Sequence, residues 1–173
     1  MVEIKTLIEE EKLHNRIDEI AKQIEKEYKG KELTLICILK GSVFFTVDLA
    51  KRINEDVRLE FIRVSSYGEG TESTGEIKMK LDLKDSIQGK DVIVVEDIID
   101  TGRTLSYLLE YLKMKKPNSV KLCTLLDKPD RRVMKDVKVD YTGFEIPDKF
   151  VVGYGLDWDE KYRNLPYIGY IEQ

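Results

Sequence analysis

Three near-continuous apolar runs divide the chain, and each is short enough to form a strand. Residues 33–39, 92–95 and 120–126 consist mostly of aliphatic, cysteine and threonine side chains. Runs of this kind are typical of strands that are buried on both faces, as the strands of parallel sheets are. The pattern therefore predicts the inner strands of a parallel sheet.

Between these runs, apolar residues recur at the spacing of helices. The helical pattern covers about 9–28, then 43–53, and then 105–112. Buried strands that alternate with amphipathic helices predict an α/β fold, with a central mostly parallel sheet flanked by helices. Ligands bind such sheets outside the carboxyl ends of the strands. The loops that follow the three apolar runs are therefore where we expect a site.

A polar segment at 67–76 contains three glycines and no aliphatic side chain. Alternating apolar residues precede it at 57–61 and follow it at 77–83, so it is predicted to join two strands. Long loops in compact domains often close over a binding site as lids. The segment is therefore a candidate lid.

Composition narrows the possible chemistry. The 173 residues include a single histidine, His14, and two cysteines, Cys37 and Cys123. Zinc sites built from cysteine and histidine need three or four such ligands, so this class of site is excluded. Each cysteine lies in an apolar run, where it is expected to be a small buried residue. His14 falls on the first predicted helix and is interpreted as a surface or partly packed residue.

Charge and the N-terminal sequence bear on partners and location. The net charge of −4 argues against a protein that coats nucleic acid by bulk charge. The first residues lack the basic start and apolar core of a signal peptide, and no run approaches the roughly 18 apolar residues of a membrane span. We therefore expect residues 1–173 to form a single cytoplasmic domain with neither a membrane nor a nucleic acid as partner.

The segment after the second apolar run carries the strongest chemical signal. Glu96, Asp97 and Asp100 come first, and a small hydroxyl-rich turn then leads into a helix. A helix N-terminus favours anions, and glycine lets the backbone approach one closely. Carboxylates beside a phosphate suit sugar hydroxyls or a shared Mg²⁺. The residues alone predict a site for a phosphorylated sugar, and a solvated turn with Asp100 or Thr101 as N-cap is the alternative.

Several stretches resemble one known family. Residues 94–104 closely resemble the phosphoribosyl-pyrophosphate (PRPP) motif of the type I phosphoribosyltransferases. Lys128 and the segment 148–157 resemble the purine-binding residues of the 6-oxopurine branch, the hypoxanthine-guanine phosphoribosyltransferases. The remaining matches follow in the expected order. Leu39-Lys40-Gly41 resembles the pyrophosphate loop, and Ser66 and Tyr67 resemble the start of the lid. Arg163-Asn164-Leu165 resembles the stretch after the purine segment.

This resemblance implies a fold and a reaction. The fold would be that of a type I phosphoribosyltransferase, with a small hood to which the C-terminal segment contributes and a mobile lid at about 66–77. The protein would be a purine salvage enzyme that transfers the 5-phosphoribosyl group from PRPP to hypoxanthine or guanine. The products would be IMP or GMP and pyrophosphate. Members of the family commonly form homodimers or homotetramers.

The resemblance also implies which residues bind PRPP and Mg²⁺. Lys40, Gly41 and Arg163 would hold the pyrophosphate, and the Leu39–Lys40 peptide is often cis in this family. Two metal positions are implied, one at Glu96 and Asp97 beside the ribose hydroxyls and one at Asp157 on the pyrophosphate side. The full PRPP-binding set is Lys40, Gly41, Glu96, Asp97, Asp100, Thr101, Gly102, Arg103, Thr104 and Arg163.

The purine would be held by the end of the chain. Asp100 matches the general base at purine N7, and a carboxylate is chemically able to take that role. Lys128 would donate to purine O6 and thereby select oxopurines over aminopurines. Phe150 would stack on the ring, and the Val151 carbonyl would contact the 2-position. Asp157 closes the same purine-binding segment.

Two alternatives remain open at this stage. One is a xanthine-preferring relative, because preference among 6-oxopurines depends on side chains such as Ile98 or Leu156. The other is a nucleotide-sensing RNA-binding regulator on the same fold, which would need a basic face. Two modest basic clusters could supply that face: Lys113, Lys115, Lys116 and Lys121, and Lys128, Arg131 and Arg132.

Overall fold

The structure is a computed structural model, and it describes residues 2–66 and 77–172. Nine strands and three α-helices lie within these ranges, with one 3₁₀ turn at Pro129–Arg131. In chain order they are β1 (Ile4–Ile8), α1 (Glu10–Glu27), β2 (Leu33–Ile38), α2 (Val43–Arg52), β3 (Val57–Ser66), β4 (Ile77–Leu81), β5 (Asp91–Ile99), α3 (Arg103–Met114), β6 (Ser119–Asp127), β7 (Tyr141–Glu145), β8 (Phe150–Val152) and β9 (Ile168–Ile171).

A six-stranded sheet forms the centre, in the order β4-β3-β2-β5-β6-β7. All its neighbouring strands are parallel except β3 and β4, which pair antiparallel. Helices α1 and α2 pack on one face and α3 on the other, so every residue of β2 is buried. The predicted α/β class and the buried parallel strands are confirmed.

A second, three-stranded antiparallel sheet joins the two ends of the chain, in the order β1-β9-β8. We call this sheet the hood. Strand β1 pairs with β9 from Ile4↔Ile171 to Ile8↔Ile168, and β9 pairs with β8. Sequence reasoning located β8 but not β1 or β9, because these short strands are defined by pairing across the whole chain length and not by a local pattern.

Strand β5 extends further than predicted. The apolar run suggested a strand at 92–95 followed by a loop, whereas the strand continues to Ile99. Glu96 pairs with Thr124 and Ile98 with Leu126 of β6. The apolar run ends before the strand does because the last part of β5 is less deeply buried. Polar residues, Glu96 and Asp97, occupy that part.

The structure also shows the surroundings of the two cysteines and of the single histidine. Cys37 and Cys123 are free and buried, as predicted. The side chain of His14 is 38% exposed and lies 3.9 Å from Asp48. Within the described ranges, no helix is long and apolar enough to cross a membrane.

Candidate active site

The site lies where β2, β5 and β6 end, at one edge of the central sheet. Because these strands are parallel and adjacent, the loops that follow them meet at that edge. These are the three loops that the sequence pattern identified. Residues 153–167, which lie between β8 and β9 and which we call the hood segment, reach the same edge, where Gly155 lies against Gly41.

The loop after β5 turns directly into helix α3. Gly102 is the residue before the helix and has a φ of 83°, a conformation that glycine adopts at no steric cost. Asp100 and Thr101 are therefore not the N-cap, and the capping alternative is wrong. A cavity of about 160 Å³ is lined by residues 98–105 together with Glu96. A helix N-terminus beside such a cavity suits an anion such as phosphate.

Glu96 and Asp97 form a half-buried acidic pair at the end of β5. Burial, followed by the charge of Asp97, raises the pKa of Glu96 well above its ordinary value. Burial also raises the pKa of Asp97, an effect that the Arg163 charge partly opposes. Two carboxylates that repel each other in a poorly solvated position favour a cation between them.

The described residues contain no group of three His, Cys, Asp or Glu side chains placed to hold a metal. This does not conflict with Mg²⁺, which commonly uses one or two carboxylates and completes its shell with water and phosphate oxygens. The Glu96 and Asp97 pair offers the hard oxygen ligands that Mg²⁺ takes. The donor set therefore fits a magnesium ion shared with a substrate.

The loop after β2 brings Gly41 against the acidic pair. A Cβ atom at Gly41 would lie 1.7 Å from Oδ2 of Asp97, so a side chain there would displace the Asp97 carboxylate. Gly155 of the hood segment approaches from the other side, and a Cβ at that position would lie 2.1 Å from the Gly41 carbonyl oxygen. The Leu39–Lys40 peptide is cis. Three distant segments therefore meet at Gly41, which lies against the Asp97 side chain and the Gly155 backbone.

Arg163 connects this meeting point to the hood segment. Its guanidinium donates to the Gly155 carbonyl at 2.7 Å and lies 3.0 Å from Asp157 Oδ1. The Nε atom is buried and has no hydrogen-bond partner among the described residues. A buried guanidinium N–H without a partner is costly, so an anionic ligand at Arg163 is chemically favoured.

Among the predicted purine-binding residues, Lys128 follows β6 and is 8% exposed. Its ammonium lies 3.4 Å from Asp148 Oδ1, and its backbone N–H donates to the Ile99 carbonyl at 3.0 Å. The Phe150 side chain at the start of β8 is 41% exposed, while Val151 is buried and pairs with Tyr170. An exposed ring and a nearly buried ammonium are suitable for stacking on and hydrogen bonding to a flat heterocycle.

Asp100 forms an ion pair with Arg131. Its Oδ1 accepts a hydrogen bond from Arg131 Nε at 2.9 Å, and Arg131 also lies 3.7 Å from Asp148. Arg132 donates to the Asp100 carbonyl and forms a 2.5 Å pair with Asp127. These arginines belong to a basic cluster that suggested an RNA-binding face. Their pairing with Asp100, Asp148 and Asp127 offsets the positive charge of that cluster.

The candidate lid is described only at its two ends. Ser66 is the last residue of β3 and pairs with Ile77, the first residue of β4. It lies four residues after Ile62, the last residue of β3 that pairs with β2. Ser66 therefore lies at the same end of the sheet as the site loops. Tyr67 and the rest of the predicted lid up to residue 76 lie outside the described residues.

Sequence reasoning missed three charged residues that the site contains. Glu160 contacts Lys40 and Arg163, Asp148 contacts Lys128, and Arg131 contacts Asp100. Asp148 belongs to the recognised purine segment, and Arg131 was noted only as part of a basic cluster. Glu160 and Arg163 are only three residues apart, but the other three pairs join different segments and no local pattern indicates them.

A comparison with protein families agrees with this geometry. A family model described as "Phosphoribosyl transferase domain" matches residues 4–159, which include the loops after β2, β5 and β6. The fold and the site thus define the class, and the chain belongs to the phosphoribosyltransferases.

Individual relatives narrow the class. The chain is 48% identical to the hypoxanthine-guanine phosphoribosyltransferase of Streptococcus thermophilus, over 98% of this chain and 93% of that protein. A crystal structure of a hypoxanthine-guanine phosphoribosyltransferase from Bacillus anthracis, with HEPES in its active site, superposes with a TM-score of 0.93 at 52% identity and covers 98% of this chain and 100% of the other. The chain therefore belongs to the hypoxanthine-guanine phosphoribosyltransferases.

A longer relative also matches. The chain is 50% identical, over 97% of its length, to the bifunctional protein TilS/HprT of Listeria monocytogenes. It spans only 26% of that protein. The similarity is therefore confined to one part of the bifunctional protein.

Proposed function

We propose that this chain transfers the 5-phosphoribosyl group of PRPP to hypoxanthine or guanine, giving IMP or GMP and pyrophosphate. One observation carries the proposal: the phosphate turn at 100–104, the Lys40-Gly41 loop and Lys128 all lie at one edge of the sheet. Each of the three chemical parts of the reaction, the sugar phosphate, the pyrophosphate and the base, thus has a group suited to it. The names of the relatives in the family support the same reaction.

The phosphates of PRPP are held by charge and by backbone. The turn formed by Asp100, Thr101, Gly102, Arg103 and Thr104 receives the 5′-phosphate at the N-terminus of α3. Lys40 and Arg163 neutralise the pyrophosphate as it leaves C1, and the Arg163 Nε without a partner supports this role. Because Gly41 has no side chain, the Asp97 carboxylate can lie directly against its backbone. Charge that develops on the leaving group is thereby stabilised.

The base is selected by hydrogen bonding and stacking. Phe150 stacks on the purine, the Val151 carbonyl contacts the 2-position, and the Lys128 ammonium donates to O6. An aminopurine presents an N–H₂ group there and leaves the ammonium without an acceptor, so it is rejected. The Asp100 carboxylate accepts the N7 proton as the new bond to C1 forms. Before it does so, Asp100 exchanges its pairing with Arg131 for the substrate.

Mg²⁺ is the implied cofactor, and it would be held by Glu96 and Asp97 with a second ion at Asp157. When bound, it supplies positive charge to the phosphate and ribose oxygens of PRPP. The raised pKa values of Glu96 and Asp97 support a cation at this pair. Asp157 is already tied to Arg163, so the second position shares its carboxylate with that guanidinium.

A reducing cytoplasm is the compartment we propose, with residues 1–173 forming a single phosphoribosyltransferase domain. Both cysteines are free and buried, which suits such a compartment. Ser66 and Tyr67 are proposed to begin the lid, which would exclude water that hydrolyses PRPP.

The test is an activity assay with purified protein, PRPP and Mg²⁺. Hypoxanthine, guanine, xanthine, adenine and uracil are supplied separately, and pyrophosphate release is followed. We expect release with hypoxanthine and guanine and none above background with adenine or uracil, because of the donor at Lys128. If neither hypoxanthine nor guanine supports release, the proposal fails. Release with xanthine alone would indicate the xanthine-preferring alternative.

A further inference from the structure

Glu160 bridges the two cations of the proposed pyrophosphate site. Its Oε2 lies 2.8 Å from the Lys40 ammonium, and its Oε1 lies 3.3 Å from the Arg163 guanidinium. Lys40 belongs to the loop after β2, and Arg163 belongs to the hood segment between β8 and β9. A single carboxylate thus joins the two cations that the proposed function assigns to pyrophosphate.

A tight turn holds Glu160 in this position. Trp158 and Lys161 exchange two backbone hydrogen bonds of 3.1 and 3.0 Å, and Asp159 and Glu160 both have positive φ values, 53° and 59°. This is the pattern of a two-residue hairpin with a type I′ turn. The Glu160 N–H also donates to Asp157 Oδ2 at 2.9 Å. The turn therefore fixes the backbone from which the Glu160 carboxylate reaches Lys40 and Arg163.

We infer that Glu160 is an internal anion that pairs with Lys40 and Arg163 and competes with pyrophosphate for them. The inference rests on the proposed function, which assigns these two cations to pyrophosphate. It makes Glu160 a positioning residue, since it acts through Lys40 and Arg163 and not on the reacting atoms. Its effect is to keep both cations in place and to weaken the binding of pyrophosphate.

The energetics favour exchange between the carboxylate and the ligand. The side chains of Lys40 and Glu160 are 46% and 66% exposed, and ion pairs in such positions are weak. Pyrophosphate carries more negative charge than one carboxylate and can pair with a guanidinium through two oxygens. It therefore displaces Glu160, while the carboxylate returns as pyrophosphate leaves and shortens its residence in the site.

The experiment compares pyrophosphate binding to the wild-type protein and to Glu160→Gln by titration calorimetry in the presence of Mg²⁺. Glutamine keeps the size of the side chain and removes the competing charge. We expect the dissociation constant for pyrophosphate to fall about fivefold, the amount expected from the loss of two weak competing ion pairs. Steady-state inhibition by pyrophosphate should tighten by a similar factor.

The matched control is Asp159→Asn. Asp159 is the neighbouring residue of the same turn and pairs with Lys161 at 3.8 Å. Its substitution changes the net charge by the same amount and retains a residue that tolerates positive φ. A general charge effect would lower both dissociation constants equally, whereas competition at Lys40 and Arg163 lowers only that of Glu160→Gln.

A second comparison isolates the contact. In a Lys40→Gln background, the Glu160→Gln substitution should change pyrophosphate binding by less than it does in the wild type, because one of the two pairs is already absent. An equal or larger dissociation constant in Glu160→Gln than in the wild type overturns the inference, as does a decrease that Asp159→Asn reproduces. Absence of pyrophosphate binding to both proteins also overturns it.

Failure of the inference and failure of the proposed function have different signatures. Calorimetry needs no turnover, and the five-base assay needs no variant. Turnover with hypoxanthine combined with unchanged pyrophosphate binding in Glu160→Gln would leave the function intact and remove only the role of Glu160. Absence of turnover with every oxopurine would remove the function itself.

Discussion

At the scale of single residues, the site depends on what surrounds each charged group. Asp100 is half-exposed and held by Arg131, whereas Glu96 and Asp97 lie in a poorly solvated position beside each other. Carboxylates in such different surroundings are suited to different tasks. The exposed Asp100 can exchange its partner and accept a proton, while the acidic pair favours a cation.

The proton-accepting role of Asp100 is tested by Asp100→Asn, which keeps the shape of the side chain and removes the base. We expect kcat with hypoxanthine to fall by about 100-fold or more, the usual contribution of a general base, with a smaller change in KM for PRPP. Steady-state kinetics measure both values, and a melting curve verifies folding.

Asp130→Asn is the control for this substitution, because it makes the same chemical change at an exposed residue of the neighbouring turn. It should leave kcat within about twofold of the wild type, as surface substitutions usually do. A wild-type kcat in Asp100→Asn would contradict the general-base role.

At the scale of elements, the register of β5 against β6 places the acidic pair and Lys128 at the same edge. Asp91 begins β5 opposite Ser119, the first residue of β6. The Asp91 carboxylate accepts hydrogen bonds from Ser119 Oγ at 2.7 Å and from Asn118 Nδ2 at 2.8 Å. These hydrogen bonds lower the pKa of Asp91 below its ordinary value of 3.8, and the bond from Ser119 has the larger effect. The contact joins the beginnings of the two strands whose ends form the site.

This contact predicts a dependence of stability on pH. A carboxylate whose pKa is lower in the folded state stabilises that state above its unfolded pKa, and the contribution disappears as the pH falls through the folded pKa. Asp91→Asn should therefore lower the free energy of unfolding by about 1 kcal/mol at pH 7. The difference from the wild type should shrink as the pH falls below the ordinary value of 3.8.

Urea unfolding at several pH values measures this difference. Asp85→Asn, at an exposed position of the loop before β5, is the control and should have little effect at any pH. A cost of Asp91→Asn that is the same at pH 7 and below pH 3.8 would show that the charge of Asp91 contributes nothing.

At the scale of the whole molecule, one face of the sheet is only partly covered. Leu59 and Phe61 of β3 pair in register with Leu35 and Cys37, so they point to the face on which α1 and α2 pack. They are nevertheless 42% and 41% exposed, and Val47 of α2 is 45% exposed. Apolar side chains gathered beside a helix in this way are typical of an interface.

We therefore predict that this face pairs two copies of the chain, in a homodimer or within a homotetramer. Light scattering coupled to size exclusion should give at least twice the chain mass of 20.1 kDa. Val47→Glu should shift the protein toward the monomer, because it places an unpaired charge in the interface. Met114→Glu is the control, because Met114 is 73% exposed at the end of α3, on the opposite face. A wild-type monomer would contradict the prediction.

The elements that the sequence predicted well are those with local causes. The buried runs of β2, β5 and β6 and the helices between them follow from the period of apolar residues, which depends on neighbours in the chain. The anion-binding turn after β5 follows likewise from residues within a few positions of one another. The order of the parallel strands then brings the three loops to one edge. Most candidate site residues were named from the family resemblance, and their roles remain predictions.

Only the tertiary structure decided which distant groups meet. The pairing of β1 with β9, the approach of Gly41 to Asp97 and the bridge from Glu160 to Lys40 each join segments far apart in sequence. Such contacts depend on how layers pack and on where each loop leaves its strand, and no local pattern encodes either. The sequence by itself therefore determined the inner strands β2, β5 and β6, the helices between them and the chemistry available at the strand ends. Packing determined which acid neutralises which cation, because charge pairing depends on distance in space and not on distance along the chain.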